Sequence, residues 1–97
     1  MMYPYATLED GTEIVHSGLL GNGIVTVYCE RPDPVICFRT AEFALPGCMH
    51  LAIYGFPKDE LQALERFVRE RESDILMRAT ATTAGKLARE QLEEHEP

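Results

Sequence analysis

The sequence predicts an α+β fold: an antiparallel β-meander of four to five strands with a C-terminal amphipathic helix packed on one face, plus a second helical segment or helix extension at the C-terminus. Three observations carry this reading. Up to Tyr54 the chain consists of short extended runs separated by turn residues, and after Gly55 the apolar residues recur at helical spacing. The length, 97 residues, holds one core and is too short for two. The chain therefore reads as a single domain, 1–97, with a meander over 1–55, a core helix over 56–79 and a helical arm or tail over 80–97.

The first run, residues 3–9, closes at Asp10-Gly11, a strong hairpin signal. The second, from Thr12 to about Leu20, meets Asn22-Gly23. The third, Ile24 to Glu30, is rich in β-branched residues and ends at Pro32-Asp33-Pro34. The fourth runs from Val35 to about Leu45 and stops at Pro46-Gly47; the fifth runs from Cys48 to Tyr54 and stops at Gly55. Tight turns between consecutive strands require antiparallel pairing.

In the helix that follows, Pro57 suits the first turn, where its missing N–H has no partner to lose. Asp59 and Glu60 place negative charge at the positive end of the helix dipole. Leu61, Leu64, Phe67, Val68, Ile75 and Ala79 share one stripe. A second stripe, Met77, Ala81, Ala84, Ala88 and Leu92, lies on roughly the opposite side of the cylinder and is expected to be an association arm. Thr80-Ala81-Thr82-Thr83 with Gly85 is poor in helix formers. The helix there either kinks and folds back, continues as one long helix with a second seam, or frays.

Nine Lys and Arg against sixteen Asp and Glu give a net charge of −7, which opposes a nucleic-acid backbone as partner. No apolar run reaches the length of a membrane span, and the start lacks the basic leader and apolar core of a secretion signal. Three cysteines cannot all pair within one chain, and none has Cys-x-x-Cys spacing. The expectation is a cytoplasmic protein with free thiols, no cofactor, and neither nucleic acid nor membrane as partner.

The turns suggest strand registers. A two-residue Asn22-Gly23 loop places His16 opposite Cys29, and a three-residue Pro32-Asp33-Pro34 loop places Cys29 opposite Cys37. The helix-facing side then carries Ile14, His16, Leu20, Val25, Val27, Cys29, Val35, Cys37 and Phe43. The row His16, Cys29, Cys37 has the soft donors that zinc takes, and also sets a nucleophile beside a base. The other side carries Glu13, Ser17, Thr26, Glu30, Thr40 and Glu42 around Val15, Tyr28, Ile36 and Phe38, with Tyr28 directly across from Phe38. These four apolar residues are the candidate protein interface on the sheet. In the fifth strand, Met49, Leu51 and Ile53 are expected to face the core and Cys48 and His50 to face away.

Leu45-Pro46-Gly47-Cys48, following two strands and preceding an acidic amphipathic helix, resembles the strand–turn signature of HicB-type antitoxins. The resemblance covers that tetrapeptide and the strand–helix order. The segment between Cys48 and the helix is longer than the family's pattern, and no DNA-binding segment follows it in this sequence.

Catalytic patterns are lacking: Ser17 and Ser73 are the two serines, and Gly18, Gly21 and Gly23 lead into a strand rather than a helix. The expected function is a small cytoplasmic protein-interaction or regulatory module without catalytic activity, acting as a homodimer or with a protein partner. The alternative is a metal- or small-ligand-binding domain with a site between sheet and helix.

Overall fold

A computed structural model of the protein describes the backbone of residues 1–94 and the side chains of residues 1–85. It has the α+β arrangement read from the sequence. Strands β1 (Met2–Thr7), β2 (Glu13–Ser17), β3 (Val25–Asp33), β4 (Cys37–Leu45) and β5 (Met49–Tyr54) are followed by helices α1 (Lys58–Glu70) and α2 (Glu72–Glu94). The strands form one antiparallel sheet in the order β1-β2-β3-β4-β5.

Strand alternation sends Ile14, Val25, Val27, Cys29, Ala41, Phe43 and Leu45 to one face, where they are buried. Leu64 and Val68 of α1 and Ile75 and Ala79 of α2 complete that core, so both helices lie on the same face. Leu61 and Phe67 pack against it while remaining partly exposed. Four of the six stripe residues are thus fully buried and the other two flank them.

Both hairpin registers differ from the turn-based expectation. Val27, not Cys29, stands across from His16, a slip of two residues. Gly18 and Leu19 leave the sheet to meet α2, where Leu19 N–H donates to Thr83 Oγ1 at 2.8 Å, so the connection is longer than a two-residue turn. Ser17 Oγ takes over part of the ladder by accepting Thr26 N–H. In the next hairpin Asp33 pairs with Cys37, leaving Pro34, Val35 and Ile36 as the loop. The Asp33 carboxylate draws this turn around itself, accepting N–H bonds from Val35 and Ile36 at 2.8 and 3.0 Å. Cys29 therefore faces Ala41, four residues along from Cys37. Both slips are even-numbered, and an even slip preserves the face of every side chain. The core assignment survives for this reason, although Leu20 and Val35 lie in loops, Cys37 is the first residue of β4, and all three are exposed.

The helix break falls at Arg71 (φ −111°, ψ 10°) rather than at the threonines. Helix α2 runs through Thr80–Gly85, with Thr80 and Thr82 hydroxyls donating back to the Leu76 and Arg78 carbonyls at 2.8 and 2.9 Å.

Candidate functional site

The structure disperses the His16, Cys29, Cys37 row. His16 is buried between Tyr3 and Tyr5, with ring centroids 5.8 and 6.3 Å away, and its Nδ1 lies 2.8 Å from the Ser17 carbonyl, an acceptor that it satisfies as donor. Cys29 is buried beneath the helices, and burial, with Cys48 nearby, pushes its thiol up to about 12. Cys37 sits exposed at the end of the β3–β4 hairpin with a left-handed φ of 73°. Among the described residues, no three His, Cys, Asp or Glu side chains are grouped to hold a metal ion.

The apolar residues read as one patch are also separated. Val15 and Tyr28 are cross-strand partners on the face away from the helices, but Tyr28 meets Glu42 on its other side, whereas Phe38 faces Pro32. The slip in the β3–β4 register moves Phe38 two rows from Tyr28. Ile36 lies in the hairpin loop, against the space beside Gly55. On α2, Met77, Ala81 and Ala84 are exposed, as the second stripe requires; the side chains of Ala88 and Leu92 lie outside the described residues. Thr83 ties α2 to the β2–β3 connection, so the part docked on its own domain extends past Ala79.

Two cross-strand pairs of like charge distinguish the faces of the sheet. On the helix side, Arg31 stands opposite Arg39. Such a pair is unfavourable alone, and the chain answers it: Glu60 of α1 accepts from both guanidinium groups at 2.8 and 2.9 Å, with Asp10 on Arg31 and Asp33 on Arg39. On the other side Glu13 stands opposite Glu30, with Glu42 nearby across β4. Among the described residues none of these three carboxylates has an ion-pair partner. Tyr28 lies among them, its hydroxyl raised by burial and then by the negative fields of Glu30 and Glu42. Register places Pro4, Val15, Tyr28, Glu42 and Ala52 in one row across this face, which no described helix covers.

On the edge strand β5 the sequence reading holds for Ile53, which pairs with Ala41 of the helix-facing side, and fails for Cys48, Met49 and His50. Ala52 pairs with Glu42 and His50 with Phe43, so Leu51 is an extra residue in a bulge, and the bulge exchanges the faces on its two sides. His50 therefore faces the helices, its ring 5.3 Å from that of Phe43 and its Nε2 3.4 Å from Glu65 of α1. Cys48 is buried, while Met49 and Leu51 are 65% and 50% exposed. The signal for an open edge was available in the sequence, since Met49–Tyr54 contains no Lys, Arg, Asp, Glu or Pro.

Between α1 and the sheet lies a hollow of about 170 Å³, lined by Leu8, Phe56, Leu64 and Phe67 together with the ion-paired Asp10, Arg31 and Glu60. Among the described residues no helix is long and apolar enough to cross a membrane. Compared with protein-family models, curated proteins and solved structures, the chain has no match in any of the three. The four-residue likeness at Leu45–Cys48 accordingly assigns no family.

Proposed function

We propose that the chain is a small cytoplasmic protein-interaction module without catalytic activity, whose uncovered sheet face receives a basic surface of a protein partner. The observation that carries this reading is the unrelieved Glu13–Glu30 pair. The same chain supplies Glu60 to its arginine pair, yet among the described residues the carboxylate pair has no counter-ion. A partner that brings Lys or Arg to this row relieves the repulsion and covers Val15 and Tyr28 in the same contact. Three unpaired thiols suit a reducing compartment.

The test is Glu30→Lys. It should raise the melting temperature of the free chain and abolish capture of the partner that wild-type protein retains. A variant no more stable than wild type, or capture indifferent to the change, overturns the reading.

A second reading, a small-ligand site between sheet and helix, is favoured by the hollow beside Phe56 and Phe67. Its volume suits a benzene-sized apolar group. A rise in melting temperature with such compounds, lost in Ala63→Phe, supports it; no rise removes it.

A further inference from the structure

We propose that the open rim of β5 pairs antiparallel with β5 of a second copy of this chain, joining two sheets into one around a twofold axis. This stands independently of the reading of the sheet face. β5 is an outer strand, with β4 on one rim and no described element on the other. All six of its residues are exposed, Tyr54 by 58%. Exposed edges are ordinarily blunted by charge, proline or cover, because their free N–H and C=O groups template a further strand. The opposite edge carries such a device: Pro4 offers no N–H, and the β1–β2 register shifts between Pro4 and Ala6. β5 has no charge of that kind, and its bulge leaves Leu51 half-exposed instead of shielding it.

Charge selects the second copy as occupant. With a net charge of −7, two copies repel wherever carboxylates would meet, and the Glu13, Glu30, Glu42 face is therefore a poor contact between them. The β5 rim is different. The strand itself is free of carboxylates, and α1 beside it presents Glu65, Arg66, Arg69 and Glu70 around one open hollow, with Glu65 reaching His50. Under a twofold axis, both helices lie on one side of the joined sheet, so arginines of each copy come toward glutamates of the other. An antiparallel edge is likewise complementary to itself, each N–H meeting a carbonyl. Exposed Met49, Leu51 and Tyr54 then meet apolar residues of the second copy's β5 at the seam.

Sedimentation of the full chain tests this, with Leu51→Lys and Met49→Lys as variants at exposed positions and circular dichroism to report folding. Wild type should sediment at twice the 10.9 kDa chain mass. Each variant should keep its spectrum and weaken the dimer about tenfold or more. β5 amides should exchange slowly in wild type and fast in the variants. A wild-type monomer at all concentrations overturns the proposal, as does a dimer that both folded variants leave at full strength. Pairing only with an added strand of another protein overturns it too. None of these outcomes alters the Glu30→Lys test.

Discussion

The Tyr5 hydroxyl donates a 2.7 Å hydrogen bond to Asp74 Oδ2, joining the first strand to the second helix. Arg78 approaches the same carboxylate at 3.1 Å and lies over the Tyr5 ring. The Tyr5 bond, then Arg78, holds the Asp74 carboxyl below its ordinary value. A depressed carboxyl stabilises the fold above the unfolded value, about pH 3.9, and that contribution is lost as pH falls through the native value. Tyr5→Phe should lower the melting temperature at neutral pH and flatten its dependence on pH in the acid range. Melting curves from pH 2 to 7 check this; an acid limb identical to wild type would show that the bond does not form.

Thiol chemistry should divide the cysteines. Cys37 is exposed, whereas Cys29 and Cys48 are buried and burial raises both thiols. In native protein, Cys37 should react rapidly with a disulfide reagent and the other two only on unfolding. Because Cys29 is raised to about 12 from an unfolded value of about 8.5, its contribution is complete below the unfolded value and disappears as pH climbs toward 12. Cys29→Ala should therefore lessen the loss of stability in alkali.

Phe43→Ala should cost about 3–5 kcal/mol in urea unfolding, since Phe43 is fully buried at the centre of the sheet beneath the helices. Phe67→Ala should cost less, because Phe67 is only partly buried and borders the hollow. Equal losses would mean that the hollow closes in solution.

Gly55 has a φ of +84°, and a methyl group there would run into Ile36 Cδ1 and Arg39 Cγ. Gly55→Ala should destabilise the protein by about 1 kcal/mol or more. Gly47→Ala has a similar φ but open space around it, and should cost less.

The strands, their order and the buried face were legible because turn residues and alternation are local signals. Registers were less legible, because they depend on partners distant in sequence. Asp33 can cap a turn over Val35 and Ile36 or sit within one between two prolines, and only the assembled hairpin distinguishes these. The Arg71 break was hidden by an apolar stripe that continues smoothly from Val68 to Ile75. On β5 the bulge at Leu51 inverted the faces of Met49 and His50, and a period-two reading has no place for an extra residue. The candidate surface was legible in composition, as Val15 and Tyr28 among glutamates. The like-charge pair became visible only when register set Glu13 across from Glu30.

Pro4 belongs to the strand that bounds the sheet on the side away from β5, and it has no N–H to offer a newcomer. A sheet with one receptive border and one sealed border can accept a neighbour once. Two chains joined at their receptive borders would present sealed borders at both ends, and the product would be a finite pair instead of a fibre. Substituting Pro4 with a β-former such as Val would unseal those ends, and slow fibre growth at high protein concentration is the expected result.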